Sequence, residues 1–259
     1  MRITQHALFV VGLCAAGFLT ACSSSDDAAL TSAESSEASL TEREPIDPSA
    51  TGSLQIVVEL AGDAPPPRVL DIAREPACSH DGPIFSEFVV AEDGKLANAL
   101  VRVISGHERW RVPAPAETPA TLSQTGCTYR PHVLGLQVGS KLLIENGDDL
   151  VHNVHVVARK NERSNRVQTA GAAALEFEFR RPELSIPVQC DIHPWMGAWL
   201  HVIDHPWFAV SDTFGIARIE NLPPGQYELE VLHEKFGTKT IRATLEPNGR
   251  AELRVSFGQ

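Results

Sequence analysis

The sequence predicts an all-β protein, and three observations carry that prediction. Beyond residue 21 the chain breaks into short apolar runs, at 54–60, 100–104, 141–145, 151–157 and 200–203, separated by Gly, Pro, Asn and Asp. Elsewhere apolar and polar residues alternate. Leu175, Phe177 and Phe179 interleave with Glu176, Glu178 and Arg180, and Tyr227, Leu229 and Val231 interleave with Glu228 and Glu230. A period of two gives a strand one buried and one wet face. Finally, 18 Gly and 18 Pro with no helix-period stretch after residue 21 suit a turn-rich β protein better than a helical bundle.

Residues 1–21 are expected to be a secretory signal. Arg2 supplies the positive start, and 7–19 is an apolar stretch short of the ~20 residues a bilayer-spanning helix needs. The stretch ends in Leu19-Thr20-Ala21-Cys22, which resembles the lipobox of bacterial lipoproteins and implies lipid on Cys22 as the first mature residue. Two or more acyl chains on one residue hold a protein on a membrane where a single chain would not. The implied location is beyond the inner membrane, on its periplasmic face or at the outer membrane. Residues 22–52 carry seven acids against Arg43 alone and show no apolar periodicity, so a disordered acidic tether is expected there. A formal charge of −11 makes nucleic acid an unsuitable partner. Residues 53–204 are expected to form one β domain with its core at 96–204, ending near Asp204-His205-Pro206. Residues 205–259 then form a small second domain, with strands from 53–90 as candidates to complete it.

The chemistry concentrates in Cys190-Asp191-Ile192-His193-Pro194-Trp195-Met196, between apolar runs ending at Val188 and starting at Ala198. A thiolate, an imidazole and a thioether within seven residues can converge from one strand-to-strand loop. Soft sulfur ligands with imidazole select copper, and two His with one Cys in a plane and a weak axial Met is the blue-copper arrangement. That set needs a second His from elsewhere, and His152 in Val151-His152-Asn153-Val154-His155 supplies it. A thioether is a poor zinc ligand, and the Cys-x-x-Cys-His of c-type haem is absent.

His152-Asn153-Val154-His155, followed by Cys-x-x-His-Pro-x-Met, resembles the cupredoxins of the amicyanin and plastocyanin type. Val138-Gly139-Ser140-Lys141 resembles the strand that precedes the first His ligand in that family. The resemblance runs from about residue 96 to 203, interrupted by a Pro-rich insertion at 113–119. It implies a Greek-key β-sandwich holding one type 1 copper, with His152, Cys190 and His193 as strong ligands and Met196 as the axial one. It implies that Asn153 braces the ligand loops. It further implies that the edge of His193 emerges at the surface, with Pro194 and Trp195 forming an electron port to a redox partner protein. In the tail, Leu222-Pro223-Pro224-Gly225-Gln226-Tyr227 resembles the carboxypeptidase-regulatory-like (transthyretin-like) β-sandwich, which says little about function.

If Cys14 is lost with the signal, Cys22 carries lipid and Cys190 binds metal, Cys78 and Cys127 remain for a disulfide. The rival is a metal cluster of Cys78, His80, Cys127 and His132. A second metal site would have to draw on His80, His132, His201, His205 or His233, while His155 shares the strand face of Asn153. The expected function is one-electron transfer by a non-enzymatic, lipid-anchored blue-copper protein. Copper storage, delivery or sensing is one alternative, and glycan or peptide binding by the tail domain is another.

Overall fold

The computed structural model describes residues 43–258 apart from 73–74, 80–82 and 87. The expected signal, Cys22 as the expected lipid site, His80 and residues 22–42 of the expected tether lie outside the described residues. Among the described residues the regular structure is β throughout, except for one 3-10 turn, Pro76–Ser79. In chain order the strands are β1 (Gly52–Leu60), β2 (Ala91–Glu92), β3 (Lys95–Leu96), β4 (Leu100–Ser105), β5 (Ala120–Thr125), β6 (Thr128–Arg130), β7 (Val133–Gln137), β8 (Lys141–Asn146) and β9 (His152–Val156). They continue with β10 (Ser164–Gln168), β11 (Leu175–Glu178), β12 (Glu183–Gln189), β13 (Gly197–Ile203), β14 (Phe208–Val210), β15 (Ile216–Leu222), β16 (Gly225–His233), β17 (Gly237–Leu245) and β18 (Arg250–Phe257).

These strands make two sandwiches, one inserted into the other. The outer sandwich pairs a sheet ordered β15-β1-β3-β2, with β18 parallel to β1, against a sheet ordered β14-β4-β16-β17. Leu54, Ile56 and Val58 of β1 share its core with Val101 and Val103 of β4 and Leu229 and Val231 of β16. The inserted sandwich packs the sheet β10-β9-β12-β13-β7 on the sheet β11-β8-β5-β6. Leu122, Leu142 and Ile144 face Val154, Val156, Ile186, Val188 and Leu200 across its core.

The expected start of the first domain at 53, with its core from 96, therefore needs correction, whereas β13 ends at Ile203 and the next strand, β14 from Phe208, lies in the outer sandwich, as does β1 from the 53–90 stretch. Strands β1–β4 belong with β14–β18, and the inserted sandwich is confined to β5–β13. Strand β4, placed in the copper domain by the sequence reading, is paired on both edges by tail strands, β14 and β16. Its alternation announces a buried face but does not name the sheet that covers it. The Pro-rich stretch 113–119 lies in the link from β4 into the inserted sandwich, and 204–207 links β13 back to β14. Packing also starts before residue 53, because Glu44 exchanges backbone hydrogen bonds with Arg109 and Arg111 and Ile46 lies against the outer core.

Two contacts fix one sandwich on the other. Gly135 of β7 admits the ring of Phe208, which would stand 2.6 Å from a Cβ placed there. Glu234, at the β16–β17 turn, accepts hydrogen bonds from Trp199 at 2.9 Å and from His132. The Cys78–Cys127 disulfide is formed, so the rival metal cluster is excluded for those cysteines. Closing a loop across 49 positions contributes ~4 kcal/mol in the chain-entropy account.

Candidate metal centre

Strand pairing brings the predicted ligands together. Strands β9 and β12 are antiparallel, with Gln189 opposite His155, so the start of β9 and the end of β12 lie at the same end of the sheet. On β9, His152, Val154 and Val156 point into the core and carry His152 with them. The loop from Cys190 to Met196 folds back on itself: Met196 N–H donates to the His193 carbonyl at 2.9 Å, and Cys190 N–H donates to the Met196 carbonyl at 3.3 Å.

The donor atoms converge. His152 Nδ1 and His193 Nδ1 face each other at 2.9 Å, and Cys190 Sγ lies 3.7 Å from His193 Nδ1. All three donor atoms lie within 4.8 Å of one another, and all three residues are buried. Met196 is buried in the same apolar cluster as Cys190. Two imidazole nitrogens and one sulfur aimed at a common point fit a metal that takes soft and borderline ligands. A second grouping, Cys127, Asp148 and His152, is spoiled as a site because Cys127 is in the disulfide.

The electrostatics favour the thiolate. Burial alone would raise the Cys190 thiol. Hydrogen bonding with His152 and backbone N–H groups of Asn153, His193 and Ile192 outweigh that effect and bring it below its ordinary range. Two of those donors stand close, Asn153 N at 3.3 Å and His193 N at 3.4 Å from Sγ. Burial lowers His152, but hydrogen bonds to Cys190 and Asp148 prevail and raise it. His193 moves down, through burial and then repulsion from His152.

The Asn153 side chain bridges neighbouring segments. Its Oδ1 accepts Asp191 N–H at 3.1 Å, and its Nδ2 donates to Asn165. His155 also reaches the ligand loop, with Nδ1 3.0 Å from Asp191. The expected port differs in detail. The His193 ring does not emerge: the residue is 2 % exposed, with Glu75 3.9 Å from its Nε2. Pro194 is exposed, whereas Trp195 is half-buried and donates its indole N–H to the Cys127 carbonyl at 3.1 Å. Val151 and Ile192, next in sequence to His152 and His193, are exposed apolar side chains, at 42 % and 44 %.

The other histidines have separate partners. His132 contacts Gly197 O and Glu234, His201 accepts Ser185 N–H, and His205 contacts Val103 O. His233 accepts Lys235 N–H. Among the described residues none of these joins a cluster of three or more His, Cys, Asp or Glu donors. Sequence reasoning missed Asp148, whose carboxylate lies 2.9 Å from His152 Nε2, and Tyr129, whose hydroxyl donates to Asn153 O and Gln189 O. The available signal for Asp148 was an acid four positions before a ligand, which does not tell it apart from Asp149.

No protein-family model matches the chain, and no curated protein matches it. Solved structures do. A Cu-containing nitrite reductase from Thermus scotoductus SA-01 is 21 % identical over 36 % of this chain, with a TM-score of 0.31, and the match spans 25 % of that enzyme's chain. A purple cupredoxin from Nitrosopumilus maritimus is 22 % identical over 32 % of this chain and 99 % of its own, with a TM-score of 0.28. An amicyanin variant in its reduced state is 19 % identical over 36 % of this chain and 97 % of its own, with a TM-score of 0.30. The convergence of His152, Cys190 and His193 makes a candidate metal site independently of these likenesses.

Proposed function

We propose that this chain is a type 1 copper protein that carries single electrons on the outer side of a bacterial inner membrane, held there by lipid on Cys22. The observation that supports the reading is the buried convergence of His152 Nδ1, His193 Nδ1 and Cys190 Sγ. Copper bound there would supply a reversible one-electron couple, with Met196 as the weak fourth ligand. The chain's own residues do the rest. Two backbone N–H groups held on Cys190 Sγ stabilise the thiolate, and Asn153 ties the His152 strand to the Cys190 loop. A site so braced keeps one geometry in both oxidation states, which keeps the reorganisation opposing transfer small. The ligands are buried, but Val151 and Ile192, next in sequence to His152 and His193, offer apolar contact, and Pro194 and Trp195 complete the face proposed for a redox partner. Weak redox encounters use small contacts of this kind.

The copper-loaded protein should show an intense visible band and titrate reversibly with one electron. Met196→Gln should keep the site but lower its midpoint potential, since an oxygen donor favours the oxidised metal. A colourless protein that binds only zinc under copper-replete conditions would overturn the reading. The anchor has its own test: Cys22→Ser should move the protein from the membrane to the soluble fraction, and unchanged membrane association would refute lipid at this residue.

A further inference from the structure

Asp148 is held by three donors on two sides. Its Oδ1 accepts the Gly126 N–H at 2.7 Å, and its Oδ2 accepts the Cys127 N–H at 2.9 Å and stands 2.9 Å from His152 Nε2. The carboxylate is sheltered, with 14 % of the side chain exposed, and the His152 ring is fully buried. Its own loop is fastened as well: Asp148 N–H donates to Asn146 Oδ1 at 3.0 Å, and Gly147 N–H donates to Gln124 O at 2.8 Å.

The turn that presents those two N–H groups is itself specified. Gly126 and Cys127 are the two residues between β5 and β6, whose last pair is Thr125 with Thr128. Both have positive φ, 62° and 53°. A two-residue hairpin of this hand needs positive φ at both positions, a conformation unfavourable for a cysteine. The Asp148 bonds and the disulfide to Cys78 supply interactions that hold it. The same Cys127 carbonyl accepts the Trp195 indole N–H from the Cys190–Met196 loop. One turn thus touches both ligand-bearing segments.

We propose that Asp148 is the positioning residue for His152, and that the Gly126–Cys127 turn is what fixes Asp148. The proposal rests on the copper reading above for its consequence, not for its geometry. With Nε2–H committed to the carboxylate, Nδ1 is the nitrogen turned toward Cys190 and His193. A carboxylate on the outer nitrogen fixes the ring and raises the basicity of the inner one. An acid that served only to cap the turn would bind Gly126 and Cys127 and leave His152 alone.

The test reads His152 directly. In long-range proton–nitrogen NMR of the metal-free and the zinc-loaded wild-type protein, the His152 Nε2–H should be present, shifted downfield and slow to exchange with solvent. Asp148→Asn keeps the size but removes the charge and one of the oxygen acceptors, so that resonance should lose its protection while the amide spectrum stays folded. Copper(II) affinity should fall by about 10–100-fold in the variant, and the midpoint potential should rise, because a less basic imidazole supports the oxidised metal less. A wild-type protein without a protected Nε2–H on His152 would overturn the proposal, whatever the variant does. So would an Asp148→Asn protein with wild-type affinity and potential. A wild-type protein that shows the protected Nε2–H but takes up no copper would uphold the aiming of His152 while refuting the copper reading.

Discussion

Cys190→Ser is expected to abolish the blue charge-transfer band of the copper(II)-loaded protein entirely. The band requires a covalent bond between a soft thiolate and the metal, and a serine hydroxyl does not provide one. The environment around Cys190 is tuned for sulfur. The residue is 2 % exposed, and the N–H groups of Asn153 and His193 approach Sγ at 3.3 and 3.4 Å, distances suited to sulfur and long for oxygen. Serine would therefore lose the metal bond and sit poorly in the pocket that remains. Absorption and electron paramagnetic resonance of wild type and variant, loaded side by side, read the outcome. The backbone should persist, because the β12–β13 pairing does not depend on the sulfur. Retention of the band by the serine variant would show that another residue supplies the thiolate-like donor.

Stability should fall steeply as pH drops from about 6.5 to about 4. His201, His205 and His233 are each almost wholly buried, and each is lowered to about 4 from an ordinary 6.5. Burial is the main cause in all three. Arg102 adds to it for His201 and His107 for His205, whereas Glu234 works against it for His233. Their hydrogen bonds agree with neutral rings: His201 Nδ1 accepts Ser185 N–H, His205 Nδ1 accepts Trp207 N–H, and His233 Nδ1 accepts Lys235 N–H. Between the two pKa values the unfolded chain binds protons that the folded chain refuses, so stability rises with pH across that window and is lost below it. Each histidine adds at most about 1.4 kcal/mol per pH unit to the slope. Carboxylates held below their ordinary range, such as Glu183 with its ring of backbone donors from Arg159, Lys160 and Asn161, extend the loss at lower pH. Urea midpoints of metal-free protein between pH 7 and pH 4 measure the slope. His201→Gln should remove one proton from it, and a flat profile across the window would refute the buried-neutral assignment.

How much of this protein was legible beforehand depended on range along the chain. The Cys190–Met196 loop was readable because thiolate, imidazole and thioether lie within seven residues, a distance over which a loop can hardly avoid bringing them together. His152 was readable because the ligand set needs a second imidazole and His152-Asn153-Val154-His155 resembles the element that supplies it in cupredoxins. The disulfide followed once three other cysteines had been given different fates. The partition of strands between the sandwiches did not follow. A strand such as β4 declares one buried face, yet its partners, β14 and β16, lie more than 100 residues away.

The sequence by itself determined the class of the fold and the donors gathered on the Cys190–Met196 loop, since these depend on residue type and local spacing, and it named His152 and the Cys78–Cys127 pair as candidates by residue type. Tertiary structure alone decided that the outer sandwich is built from both ends of the chain, that His193 is covered beside Glu75, and that Asp148 rather than Asp149 faces His152. The physical reason is common to all three. In a β protein the period of two fixes which side of a strand is wet, but hydrogen-bonded pairing over long separations fixes which strand, loop or carboxylate it meets.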